Sequence, residues 1–105
     1  MWERVRMNDP RNLDRTLEAL ARRSGAARAV VASHDGLLLA GAGASRAELE
    51  ELAAYAPSQL PQRLERPAGL AARRFEVEGE RFYVAMVGQK PSAEVADELA
   101  RRLLP

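Results

Sequence analysis

Two apolar stretches, each interrupted by an acidic residue and a glycine, constrain the fold of this chain more than any other feature. The first covers Ala27–Ala40 and is broken by His34-Asp35-Gly36, and the second covers Leu70–Gly88 and is broken by Glu78-Gly79-Glu80. An Asp-Gly pair between two apolar runs is a strong hairpin signal, because a type I′ turn needs positive φ at both central residues. The sequence therefore predicts two β-hairpins, the first closed by a type I′ turn. The expected strands are Ala27–Ser33, Leu37–Ala40, Leu70–Val77 and Arg81–Gly88.

The side-chain pattern of these strands predicts how each one is covered. Leu37-Leu38-Leu39 is apolar on both alternating faces, so it needs cover from both sides or from a partner. Phe75 and Val77 alternate with charged residues, which indicates one wet face. Arg81–Gly88 is apolar on both faces and is therefore expected near the centre of the sheet.

Three amphipathic helices separate and flank the hairpins. Apolar residues recur with helical spacing over 10–24. Ser45 and Glu48 have the spacing of a capping box and open a second helix over 46–56. Pro91-Ser92 opens the last helix. The order helix, hairpin, helix, hairpin, helix predicts an α+β domain with helices on an antiparallel sheet of four or five strands.

Three segments are harder to assign. Gly41-Ala42-Gly43-Ala44 is expected to be a flexible break, and 58–69 an irregular connection with a short edge strand near Leu64 as an alternative. Residues 1–9 are expected to form an N-terminal arm ahead of a domain over 10–105. The arm carries Trp2, which either folds back over the sheet or docks on a partner.

Several segments of the chain resemble the Roadblock family (Roadblock/dynein light-chain domains), and the resemblance spans about 11–104. It rests on Ala29–Ser33, on Asp35–Ala40 with its Asp-Gly turn before an apolar run, on Glu48–Ala54 and on Phe82–Gly88. The resemblance implies a profilin-like sheet of order 2-1-5-4-3, with the second helix on one face and the other two helices on the opposite face. It also implies homodimers joined by paired second helices and by third strands meeting edge to edge.

Members of this family are non-enzymatic scaffolds, and many regulate or position small Ras-like GTPases, in bacteria within polarity and gliding systems. The resemblance therefore implies a homodimeric scaffold or regulator that binds a small GTPase or a polarity or motility complex. Two departures put the usual dimer geometry in doubt. One of the three late strands is missing or reduced, and Pro57 and Pro61 interrupt the second helix.

Composition narrows the possible functions further. There is no cysteine and a single histidine, so neither a metal site nor a catalytic triad is expected. The 16 basic and 15 acidic residues argue against a nucleic-acid-binding domain. No apolar run is long enough for a membrane span, and Met1–Asn8 lacks the apolar stretch of a signal peptide. We expect a cytoplasmic, non-enzymatic protein without a cofactor; its arginine- and alanine-rich composition is typical of GC-rich bacterial genomes.

Two segments invite a chemical interpretation that the spacing does not favour. Gly41–Arg46 follows a strand and opens a helix, but an arginine stands where the third glycine of a dinucleotide fingerprint is needed. His34-Asp35 lies at a hairpin tip, where neither a nucleophile nor a pocket is expected.

The remaining candidates concern binding to proteins. Tyr55 lies off the apolar stripe of the second helix, so it belongs either to a self-association surface or to ordinary packing under the 58–69 connection. The expected self-association or partner residues are Leu49, Leu52, Ala53, Tyr55, Ala56 and Phe75. Arginines on the second hairpin and at helix ends either meet an acidic partner or form a solvated face; they are Arg22, Arg23, Arg73, Arg74, Arg81, Arg101 and Arg102. A profilin-like sensor with a small apolar ligand between sheet and helices remains the alternative function.

Overall fold

Helices and strands alternate along the chain in the predicted order. The computed structural model describes residues 10–57 and 69–104. The elements in this part of the chain are α1 (Pro10–Ser24), β1 (Arg28–Ser33), β2 (Leu38–Ala42), α2 (Arg46–Tyr55), β3 (Leu70–Val77), β4 (Glu80–Val87) and α3 (Ala93–Leu103). The predicted helices and hairpin strands are confirmed to within a few residues at each end.

The four strands form one antiparallel sheet in the order β2-β1-β4-β3. The two strands that are apolar on both faces, β1 and β4, occupy the centre, as predicted for β4. Val30, Val31, Val84 and Met86 are completely buried. The resemblance implies the order 2-1-5-4-3, in which the last strand lies next to the first. The last strand of this sheet, β4, likewise lies next to β1.

Helices cover both faces of the sheet and create two apolar cores. On one face α1 and α3 pack through residues such as Leu17 and Leu99 against Val31 and Met86. On the other face α2 packs on β1 and β2, where Leu52 meets Val30. Because β1 and β4 contribute to both cores, their doubly apolar sequence is satisfied inside one protomer. The α+β, Roadblock-like layering predicted from the sequence is confirmed.

The helix starts follow the predicted capping chemistry. The Ser45 hydroxyl accepts a hydrogen bond from the Glu48 backbone N–H, and the Glu48 carboxylate accepts one from the Ser45 N–H, which completes the capping box. Ser92 caps α3 by accepting from the Val95 N–H at 3.2 Å. These contacts satisfy donors that a helix start otherwise leaves without partners.

The turn types differ from the prediction. The first hairpin is not closed by a type I′ turn, because Asp35 keeps a negative φ and only Gly36, at 87°, is positive. Its loop has three residues, with Ser33 pairing to Leu37 through a 2.9 Å bond and Gly36 in the left-handed region. The type I′ geometry occurs instead in the second hairpin, at Glu78 (φ 52°) and Gly79 (φ 82°).

The expected flexible break at Gly41-Ala42-Gly43-Ala44 is wrong in its first half, since β2 continues to Ala42. Leu38 and Leu39 face opposite cores, as successive residues of a strand do, and a β-bulge interrupts the β1–β2 ladder at this point. Leu38 and Leu39 are half-buried and Leu37 is 63% exposed. This apolar run is therefore only partly covered by its own protomer.

Some expectations fall outside the described residues: the N-terminal arm with Trp2, the interruption at Pro61 and the edge strand near Leu64. The domain limits stay predictions for the same reason. Within residues 10–57 and 69–104, no helix combines the length and apolarity needed to cross a membrane.

Candidate interaction surfaces

The expected interface residues of α2 mostly face inward. Leu49, Leu52, Ala53 and Ala56 are at most 8% exposed and pack in the core between α2 and the sheet. Tyr55 is half-buried at the edge of that core. Of this predicted set on α2, only Tyr55 presents substantial surface to solvent.

The outer side of α2 is polar near its start and apolar near its end. Arg46 and Glu50 form an exposed ion pair at 3.1 Å. At the other end, a Cβ added to Gly36 would lie 3.3 Å from the Ala54 Cα, so the first hairpin tip rests directly on the last turn of α2. Leu37, which follows Gly36, is exposed.

Phe75 lies on the opposite face of the sheet from α2. Its ring stacks on Phe82 with 5.7 Å between centroids and 28° between planes. It belongs to the core under α1 and α3 and is 9% exposed. The structure thus brings the α2 residues together but separates Phe75 from them.

β3 is the outermost of the described strands on its side of the sheet, and it is long and regular. Among the described strands β3 pairs only with β4, over eight residues without a register shift. The Gly88 N–H donates to the Gly69 carbonyl at 3.2 Å, so residues 69 and 88 form a hydrogen-bonded pair. This pair determines which residues of β3 direct their backbone groups toward β4. Alternation along an antiparallel pair then turns the N–H and C=O groups of every second β3 residue away from β4. Those residues are Leu70, Ala72, Arg74 and Glu76.

β2 is outermost on the other side of the described sheet; it is short, and α1 partly blocks its outer edge. The Asp14 carboxylate on α1 accepts a 3.0 Å hydrogen bond from the Gly41 backbone N–H. This contact and the bulge are common ways of protecting a sheet edge from further pairing. Next to the edge is a groove of about 450 Å³ between α1 and the start of α2. The Asp14 contact could not be predicted from sequence spacing, because it joins residues 27 positions apart.

The three arginines of the second hairpin have different surroundings. The Arg73 guanidinium donates to the Pro91 carbonyl at 3.0 Å and ties β3 to the start of α3. Arg74 and Arg81 are exposed, and Arg81 lies opposite Glu76 in the ladder. Arg81 thus fits the solvated-face interpretation, whereas Arg74 lies at the free edge.

The remaining chemical candidates lie in turns. His34 and Asp35 are exposed at the hairpin tip. The Ser33 hydroxyl donates to Asp35 and lowers the pKa of that carboxyl, helped by a backbone hydrogen bond. The same hydroxyl accepts from the Leu37 N–H at 3.1 Å, so these polar groups stabilise the turn. Within the described ranges, no group of three or more His, Asp and Glu residues is arranged to hold a metal ion.

Comparisons with known proteins support the architecture. The solved structure of Myxococcus xanthus MglB is similar to this chain, with a TM-score of 0.56 over 90% of this chain and 86% of that one. The chain has a Roadblock-like fold. The two sequences are 12% identical, so the likeness concerns the fold alone. No protein-family model matches the sequence, and neither does any curated protein.

Proposed function

We propose that this chain is a Roadblock-family, homodimeric scaffold or regulator that binds a small Ras-like GTPase or a polarity or motility complex in the bacterial cytoplasm. The observation that carries the proposal is the fold shared with MglB over nearly all of both chains. The Roadblock-like segments Asp35–Ala40, Glu48–Ala54 and Phe82–Gly88 add to it. They form β2 with its turn, most of α2, and most of β4.

The proposed role requires no chemistry from the chain itself. The single histidine, His34, lies exposed in a turn whose polar groups bond to one another. Gly41–Arg46 is divided between the end of β2 and the capped start of α2. Both placements support a protein that acts by binding.

The edge of β3 is the surface we assign to self-association. Eight regular residues offer a ladder of backbone groups, whereas β2 is bulged and blocked by Asp14. Pairing with a second copy would satisfy those groups and extend the sheet across the dimer. Phe75, the predicted interface residue on this strand, lies at the centre of the charged part of the edge.

The charges on β3 favour one register. In a two-fold antiparallel pair centred on Phe75, Arg74 of each copy faces Glu76 of the other. In the neighbouring register, the two-fold axis passes through Arg74 instead of Phe75. The Arg74 residues of the two copies then lie opposite each other. Opposite-charge cross-strand pairs contribute about 0.2–1 kcal/mol each, and like charges are destabilising. Charge thus selects the register, while backbone hydrogen bonds supply the association.

The oligomeric state tests the first half of the proposal. Size-exclusion chromatography with light scattering should give twice the protomer mass of 11.5 kDa at micromolar concentration. A clean 11.5 kDa species at every concentration would rule out the dimer.

Direct binding tests the second half. This chain is first purified from its native host together with its bound proteins, which identifies candidate small Ras-like GTPases. Each candidate is then purified separately with GDP or with a non-hydrolysable GTP analogue. Calorimetry should show binding to at least one of them, with an affinity that depends on the nucleotide. If no GTPase binds in either state and no polarity or motility protein is retained, the partner assignment is wrong.

The groove beside β2 supports the alternative, a sensor of small apolar ligands. Its volume of about 450 Å³ lies in the range of ligand sites, and Leu38, Leu39 and Leu49 contribute apolar surface. Asp14 and Arg46 stand among the lining residues as polar groups. A ligand that raises the melting temperature of the wild-type protein but not of Leu39→Gln would favour this alternative.

A further inference from the structure

A second groove, apart from α2 and the β3 edge, lies between α1 and α3. Its volume is about 350 Å³. Ala19 and Leu20 of α1 contribute a small and an apolar side chain to it. The charged lining residues are Arg15, Arg23, Arg102 and Glu98.

The charges of α1 are segregated between its two flanks. Its only two acidic residues, Asp14 and Glu18, lie on the β2 side. Asp14 holds the Gly41 N–H, and Glu18 pairs with Arg22 at 3.2 Å near the end of β2. Arg15 and Arg23 line the groove, and Glu18, the acidic neighbour of Arg15 on the helix surface, is paired with Arg22.

The single acidic lining residue is already neutralised by α3. Glu98 pairs with Arg101 and with Arg102, the latter at 3.2 Å. These two guanidinium groups hold the pKa of the Glu98 carboxyl below its ordinary value. The groove is lined by three arginines and one carboxylate, so its lining has an excess positive charge of two.

We propose that the α1–α3 groove binds an acidic segment of a partner protein. Guanidinium groups bind carboxylates through paired, charge-assisted hydrogen bonds. Arg15 and Arg23 are eight residues apart, about 12 Å along the helix. An extended chain advances about 3.3 Å per residue, so carboxylates three or four residues apart would reach both arginines. Ala19 lies between them and leaves room for the backbone of the bound segment.

The surroundings of the groove favour a peptide over a larger polyanion. Glu18, Glu94 and Asp97 are exposed on the same two helices. They would repel an anionic membrane or a nucleic acid that extends beyond the groove, whereas a peptide segment can stay within it. The whole chain carries a net charge of only +1, which also disfavours non-specific binding to such surfaces.

Fluorescence anisotropy with the full chain tests this site. The probe is a labelled ten-residue peptide with glutamate at every third position among glycine and alanine, and its match replaces each glutamate by glutamine. We expect binding of the glutamate peptide alone. The double variant Arg15→Gln/Arg23→Gln should raise its Kd by about tenfold or more, because two charge-assisted contacts are lost.

Two further variants separate the groove from general electrostatics. Arg28→Gln/Arg81→Gln makes the same change in net charge at two exposed sites outside the groove, and should leave the Kd within about twofold. Glu98→Gln should tighten binding, because it removes the only negative lining group. Circular dichroism confirms that each variant is folded.

Several outcomes would overturn the proposal. They are no binding of the glutamate peptide, equal binding of the glutamine peptide, and equal losses in the two double variants. Arginine-dependent binding of phosphatidylserine vesicles or duplex DNA at least as tight as that of the peptide would assign the groove to a different partner. None of these readouts depends on the dimer or on a GTPase.

Discussion

At the scale of single residues, glycines determine how closely backbone segments approach. Gly43 has a φ of 93°, and a Cβ there would lie 2.4 Å from the Ala27 carbonyl oxygen. Gly25 has a similar φ of 79° but no atom within 4 Å of the same position. The two sites therefore share a conformational strain and differ in the steric conflict.

This difference gives the first prediction. Gly25→Ala should lower the free energy of unfolding by about 1 kcal/mol, the cost of a Cβ in the left-handed region. Gly43→Ala should lower it by about 3 kcal/mol, because the backbone of Ala27 must also shift. Urea unfolding measures both. Equal losses would show that the close approach at Gly43 contributes nothing.

Glu98 gives a pH-dependent prediction. Its pKa is below the ordinary value of 4.5 because Arg101 and Arg102 stabilise the carboxylate. A lowered pKa in the folded state stabilises the protein fully above the unfolded value, and the effect is lost as pH falls through the folded value. Glu98→Gln should therefore be less stable than wild type at pH 7, and the difference should shrink below pH 4.5. In an Arg101→Gln/Arg102→Gln background the same substitution should have no such pH-dependent effect.

Tyr55 tests whether the end of α2 takes part in self-association. Tyr55→Asp should shift the monomer–dimer equilibrium toward monomer, since a charge would replace a half-buried aromatic side chain at the end of α2. Tyr55→Phe is the control, because it keeps the ring and adds no charge. Light scattering gives the equilibrium, and thermal unfolding shows whether the fold is retained. A Tyr55→Asp dimer of unchanged affinity and stability would exclude α2 from the interface.

At the scale of elements, one side chain protects the edge of β2. Asp14 accepts from the Gly41 N–H across the gap between α1 and the sheet. Asp14→Ala should lower the free energy of unfolding by about 1–2 kcal/mol, because a charge-assisted hydrogen bond is lost. Asp14→Asn keeps an acceptor and should lose less. Chemical unfolding separates the two, and equal losses would mean that the hydrogen bond is not the cause.

The sequence was sufficient for elements whose signals are local. The capping residues Ser45 and Ser92 and the apolar spacing of the helices act within one or two turns. Turn types were not predictable in the same way, because Asp35-Gly36 and Glu78-Gly79 carry similar local signals. The geometry of each turn depends on the register of the two strands that it joins. That register is set by the packing of side chains on both faces of the sheet.

The candidate surfaces depend on contacts between distant residues, and the sequence located them only in part. An apolar residue such as Leu52 has the same helical spacing whether it faces the sheet or a second protein. The alternation of β3 likewise places Phe75 and Val77 on one face of the strand, but it does not show whether helices of the same chain or a partner cover that face. The α1–α3 groove arises when the first and the last described helix pack side by side, so its arginines cannot be grouped by spacing.

At the scale of the whole molecule, the protomer covers its central strands by itself. The doubly apolar sequences of β1 and β4 therefore do not require a partner to cover them. Among the described residues, the β3 edge, Leu37 and Tyr55 are surfaces that a second copy could contact. Self-association should then depend on backbone pairing and charge more than on the burial of a large apolar face.

A charge exchange on β3 tests this conclusion. In the proposed register, Arg74→Glu alone places two glutamates opposite each other in each of two symmetric pairs, and Glu76→Arg alone places two arginines there. Each single variant should weaken the dimer by about tenfold or more, since two favourable pairs become repulsive. The double variant Arg74→Glu/Glu76→Arg restores opposite charges and should restore the dimer.

The same exchange distinguishes pairing through β3 from other geometries. Both residues are exposed in the protomer, so single and double variants should unfold at similar denaturant concentrations when measured as monomers. Sedimentation equilibrium over a range of protein concentrations gives the three dissociation constants. Recovery in the double variant requires that Arg74 and Glu76 meet across the interface, because effects at unrelated sites would add instead of cancelling. A double variant as weak as the singles would rule out the register centred on Phe75, while unchanged dimers in all three variants would show that Arg74 and Glu76 lie outside the interface.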